Sequence, residues 1–139
     1  HLSRVGQDVN HGVLAAESLV ERVKAGNTGD FGTYEPDEVF GTVFENWKTK
    51  DPEAKAVYQY IKDGGEVRNY QILWDKEWNS YPDTKELEKN GKKLAYVGLI
   101  TTGVKDQMKE IAVVIFGYGT CGDQGYKIYH LFAEQYVKP

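Results

Sequence analysis

Leu94-Ala95-Tyr96-Val97-Gly98-Leu99-Ile100 and Ile111-Ala112-Val113-Val114-Ile115-Phe116 are the two stretches that decide the fold. Neither alternates apolar with polar residues, so each reads as a strand buried on both faces, in the middle of a sheet. The polar segment from Thr101 to Lys109 joins them as a hairpin, which makes the pair antiparallel. To one side, Tyr70, Ile72 and Trp74 point one way while Asn69, Gln71 and Asp75 point the other, as in a half-buried edge strand. To the other side, Tyr126 to Val137 fits two patterns. Tyr126, Ile128, His130, Phe132 and Tyr136 alternate as in a strand, whereas Ile128, Leu131, Phe132, Gln135 and Tyr136 suit a helix capped by Asp123. The β-branched and aromatic content favours the strand. The expected sheet is a four-stranded antiparallel meander.

The chain before this sheet is helical. Leu2, Val5, Val9, Gly12, Ala16, Leu19 and Val23 form a seven-residue repeat, the seam a helix needs to lie along another helix. Val13 and Val20 widen that stripe, as in a helix packed on its own domain. This first helix is expected from Ser3 to Lys24, with Gly26 as terminator and a glycine-rich loop to Gly32. Pro36, Asp37 and Glu38 suit the first turn of a second helix, whose apolar face is Val39, Phe40, Val43, Phe44 and Trp47. Lys48-Thr49-Lys50 breaks its pattern. Asp51 caps a third helix, Pro52 takes its first position, Gly64 stops it, and Ala54, Val57, Tyr58 and Ile61 share one side. A polar connection from Asp75 to Lys92 has room for a short helix around Thr84 to Lys89. The fold class is therefore α+β: a long N-terminal helix and two shorter ones packed on a four-stranded sheet, as one domain over residues 1–139. With helices on one face, the second face of the central strands needs another cover: a curled sheet, a ligand, the connection 76–92 or another subunit.

Composition narrows the function classes. The chain has 139 residues and a net charge of −4, with its lysines scattered among acids apart from Lys92 and Lys93. Nucleic-acid binders carry a basic stripe, so no nucleic-acid partner is expected. No apolar run approaches the ~20 residues that span a bilayer. Residue 1 is His rather than Met, from which we expect a leader, an anchor or a boundary upstream and contact with a membrane only through such a segment. Cys121 is the single cysteine, which excludes an intrachain disulfide and a thiolate metal cluster.

The chemistry-bearing patterns are few. Gly117-Tyr118-Gly119-Thr120-Cys121-Gly122 has the spacing of a dinucleotide-binding loop, but it reads as a turn between antiparallel strands. Cys121 lacks an activating signature and is expected to be inert. Asp8 and His11 share a helix face, yet two ligands make no metal site, so neither metal nor cofactor is expected. Trp74, Trp78, Tyr81 and His130 are the candidate ligand-binding residues. The two in the polar connection, Trp78 and Tyr81, are unexplained by a core, and His130 is a polar group among apolar neighbours on its strand. In architecture alone the layout resembles cystatin-like and NTF2-like folds, type IV pilin-like heads and some extracytoplasmic sensor domains; no residue motif accompanies the resemblance.

The leading expectation is a non-catalytic extracytoplasmic domain, periplasmic or secreted, tethered through its first helix and binding a small molecule or protein partner. A homodimer through that helix belongs to the same expectation. The alternative is a small enzyme with a pocket between helix and curled sheet, using His130 with a tyrosine or an acid such as Asp75 for proton transfer. A second alternative is a structural subunit of a filament or secretion system.

Overall fold

The computed structural model describes residues 4–34, 41–118 and 125–138, the side chains of Arg4 and Val5 excepted. In chain order its elements are α1 (Arg4–Lys24), β1 (Gly32–Thr33), α2 (Gly41–Lys50), α3 (Pro52–Gly64), β2 (Arg68–Trp74), β3 (Ser80–Tyr81), α4 (Thr84–Lys89), β4 (Tyr96–Lys105), β5 (Met108–Gly117) and β6 (Tyr126–Tyr136). The protein is α+β with an antiparallel sheet. The two wholly apolar strands, β4 and β5, pair at the centre, with Ile100 opposite Val113. Their hairpin is tighter than the sequence suggests. Strand pairing runs out to Lys105 and Met108, and the turn is only Asp106-Gln107, both at positive φ (52° and 67°), as a two-residue hairpin with the right twist requires. The ambiguous last segment is a strand, β6, paired antiparallel with β5.

Two expectations are corrected. Among the described residues the sheet has six strands rather than four, in the order β1-β2-β4-β5-β6, with β3 also on β2. The additions are two-residue strands set in tandem along the outer edge of β2, where Gly32 and Thr33 face Gln71 and Tyr70, and Ser80 and Tyr81 face Trp74 and Leu73. Runs that short carry no periodicity, so no pattern announces them. The helices also take both faces instead of one. Ala16, Leu19, Val20 and Val23 of α1 pack with Ile72, Trp74, Tyr96, Ile100, Ile111, Val113 and Ile115. On the reverse face Phe44 of α2 and Ala54, Tyr58 and Ile61 of α3 pack with Leu73, Val97, Leu99, Ala112, Val114 and Phe116. Strands with two apolar faces need two covers, and the connections after α1 and before β2 allow the helices to divide between them.

Helix ends follow their sequence signals closely. Asp51 accepts from the Ala54 N–H (3.1 Å), Pro52 opens α3, and Gly65, one residue beyond the expected stop, takes the left-handed φ of 89°. Asp83 caps α4 in the same way through the Glu86 N–H (2.8 Å). Lys48-Thr49-Lys50 remains helical as the last turn of α2, where basic residues suit the carbonyl end. Pro36 to Phe40, Leu2, the side chain of Val5, and the stretch from Gly119 through Cys121 to Asp123 lie outside the described residues.

The seam of α1 lies against the chain's own sheet from Gly12 onward, while Val9 is 37% exposed and Leu14 is 66% exposed. A Cβ on Gly12 would stand 2.9 Å from Ile128 Cγ2 and 3.4 Å from Tyr129 Cβ, so this glycine sets how close α1 comes to β6. The approach is met by a bulge. Ile115 pairs with Tyr129 and Phe116 with Lys127, leaving Ile128 as the extra residue, turned with Tyr129 toward α1. Gly12→Leu should gain about 1 kcal/mol in helix propensity. The overpacked contact should more than cancel that, for a net loss of about 1–3 kcal/mol. Urea unfolding of the variant measures this, and a gain in stability would contradict the close approach.

Candidate functional site

Two of the four candidate residues meet on the α1 side of the sheet. Gly98 of β4 has no side chain, and the Trp74 ring lies across it, within 2.7 Å of where a Cβ would be. Trp74 then contacts Trp78 at a ring separation of 5.4 Å. Trp78 stacks flat on Tyr96 at 3.9 Å and 9°, and His11 of α1 stacks on Trp78 at 5.5 Å. Trp78 is thus half-buried in a layered set of rings rather than projecting from its polar loop.

The loop that delivers Trp78 is built by Asp75. Burial pulls the Asp75 carboxyl upward in pKa. Bonds from the Asn79 backbone, the Asn79 side chain, Tyr81 and the Glu77 backbone outweigh that and hold it below the usual carboxylate value. The donors are the Glu77 and Asn79 N–H groups (both 3.0 Å), Asn79 Nδ2 (3.2 Å) and Tyr81 Oη (3.1 Å). The Trp78 N–H donates to the Asp75 carbonyl (3.0 Å), and Trp78 sits at φ 65°, a conformation that costs a non-glycine residue about 1–2 kcal/mol. Tyr81 therefore serves this site through Asp75. It pairs with Leu73, whose side chain is on the α2–α3 side. Burial first, then the bond to Asp75 and the charges of Asp75 and Glu77, push the Tyr81 hydroxyl up from its ordinary pKa.

Asp8 completes the arrangement. It is 4% exposed, and Tyr96 Oη donates to its Oδ1 at 2.8 Å while Tyr126 Oη donates to Oδ2 at 3.4 Å. The His11 Nδ1–H donates to the Gln7 carbonyl (3.0 Å), so in the neutral ring Nε2 is left as an acceptor. Gln7, Asp8, His11, Lys76, Glu77, Trp78 and Tyr96 line a cleft of about 320 Å³ between α1 and the β2–β3 loop. The site thus holds a buried carboxylate, an aromatic wall and a rim carrying both signs of charge. Its key acid has a sequence signal: Asp8 lies between Val5, Val9 and Gly12 on the apolar stripe, and a carboxylate there needs partners. Tyr96 and Tyr126 carry no such signal.

His130 is elsewhere. Opposite Val114 on β6, it faces α2 and α3 beside Trp47 (5.2 Å) and Phe132 (5.1 Å). The Lys127 ammonium donates to its Nδ1 (3.0 Å), and Nε2 points at the Glu53 carboxylate (3.5 Å). Its acidic neighbour is therefore Glu53 rather than Asp75, whose carboxylate is engaged in its own loop. Under α2, the hydroxyl of Tyr58 and Nε1 of Trp47 are buried without a hydrogen-bond partner among the described residues. Burial, and then the nearby Tyr34, drive the Tyr58 hydroxyl well above its ordinary pKa.

Among the described residues, no three His, Cys, Asp or Glu side chains gather as a metal site would require, and no helix is long and apolar enough to cross a membrane. No protein-family model, no curated protein and no solved structure matches this chain.

Proposed function

We propose that this chain is a non-catalytic ligand-binding domain, and that the cleft between α1 and the β2–β3 loop takes a small molecule carrying an ammonium group. The observation that carries this is Asp8, a carboxylate buried in an aromatic wall and aligned by tyrosine hydroxyls. The two hydroxyls fix the direction of the Asp8 oxygens, and a low-dielectric wall strengthens the attraction of a carboxylate for a cation. Trp78, Tyr96 and His11 supply the flat apolar surface for the remainder of the ligand, and Glu77 adds a second acceptor at the rim. Trp74 acts from beneath, by fixing Trp78. Tyr81 acts through the Asp75 loop. His130 has no part in this cleft.

The test is a titration with primary amines, amino acids and their uncharged hydroxyl counterparts, followed by tryptophan fluorescence. Saturable changes with the amines alone are expected. Asp8→Asn should weaken them about tenfold or more, worth about 1.4 kcal/mol, with the circular dichroism spectrum unchanged. Equal binding of the hydroxyl compounds, or no saturable change up to about 10 mM of any amine, would overturn the proposal.

A further inference from the structure

The two edges of the sheet are treated differently. The outer edge of β2 is occupied by the short strands β1 and β3, a common way of blunting an edge. At the other end β6 runs for eleven residues, Tyr126–Tyr136, without proline, and no strand lies on its outer edge among the described residues. Tyr129 to Ala133 of β6 are only half-buried, although the β5 residues they pair with are fully buried.

The charges on this strand are ordered. Lys127, His130, Phe132 and Glu134 pair with Phe116, Val114, Ala112 and Glu110, so all four side chains share the α2–α3 face. Lys127 and His130 stand together at one end (3.0 Å). At the other, Glu134 directly opposes Glu110, a like-charge pair. Burial and then the neighbouring Glu134 raise the Glu110 carboxyl above its ordinary pKa. Acids thus gather at one end of the strand, in a groove that Lys105 also lines, and Lys127 and His130 gather at the other, beside Glu53.

We infer that β6 is an interface at which a second copy of this chain adds its own β6 antiparallel, about a two-fold axis at Phe132. In that register Phe132 meets its counterpart, and His130 of each copy lies directly opposite Glu134 of the other, with Lys127, bonded to His130, beside that pair. An antiparallel pair must place directly opposed residues on one face, and this register does so. Parallel pairing would set like charges together. The two sheets become one continuous sheet, closed by the symmetry of an isologous dimer.

The experiment is sedimentation equilibrium of the 139-residue chain and two variants. The chain should dimerise with a Kd below about 100 µM, weakened by salt. Glu134→Lys should raise that Kd at least about tenfold while leaving the melting temperature unchanged or higher, because it also relieves Glu110. Adding Lys127→Glu to Glu134→Lys exchanges the charges and should restore the dimer. A chain that stays monomeric up to about 1 mM overturns the inference. So does a dimer indifferent to Glu134→Lys, which would lie elsewhere, α1 included, and so does a double variant that fails to recover.

Discussion

Val113→Asp is expected to abolish folding at room temperature. Val113 is fully buried in β5, between Ile100 of β4 and Leu131 of β6, with its side chain in the layer beneath α1. The surrounding cluster is apolar, and an aspartate there must either stay charged without a partner or take up a proton at a cost in free energy. An unpaired polar group in such a site costs several kcal/mol, against a total stability of about 5–15 kcal/mol for an ordinary domain. Val113→Ala leaves only a small cavity and should remain folded with a lowered midpoint. Urea unfolding followed by circular dichroism separates the two variants. A cooperative Val113→Asp protein with near-normal melting would mean that β5 does not occupy the centre of the sheet.

Asp75→Ala should produce the next largest loss, and a local one. The carboxylate is 2% exposed and accepts four hydrogen bonds that close the loop presenting Trp78. Removing it strands the N–H groups of Glu77 and Asn79, and the expected cost is about 2–4 kcal/mol. Trp78 should lose its stack on Tyr96, so the tryptophan emission should move to the red before global unfolding. Asp75→Asn retains one acceptor oxygen and should fall between. Acid should act at the same place. The folded Asp75 has a pKa below that of the unfolded chain, so its contribution is fully present above the unfolded value of about 3.9. That contribution is lost as pH falls through the folded value. Stability should decline more steeply with acid in the parent chain than in Asp75→Ala. Identical acid profiles would show that this carboxylate is not held as described.

How far this was legible in the sequence varies with the range of the interaction. Asp51 and Asp83 act within three residues of their own positions, and both caps can be read directly. Lack of alternation placed Leu94–Ile100 and Ile111–Phe116 in the sheet centre, because burial on two faces leaves its mark on every residue. Trp78 could be singled out, since a tryptophan in a polar loop asks for a partner, but which groups it and Asp8 meet could not be read. Tyr96 and Tyr126 reach Asp8 across 88 and 118 residues of sequence. His130, a candidate as a polar group among apolar neighbours on its strand, faces Trp47 and Glu53 on the other side of the sheet.

Residue order by itself thus determined the helices and the central strands β4 and β5 with their two covered faces, but not β1 and β3, nor that β2, read as a half-buried edge, carries core residues on both faces. Tertiary structure decided that α1 takes one face while α2 and α3 take the other, and that β1 and β3 lie on one edge while no strand lies on β6 among the described residues. It also decided that Asp8 meets two tyrosines. Periodicity and capping are properties of neighbouring residues, whereas the division of helices between faces and the meeting of distant side chains depend on how whole apolar surfaces are buried together.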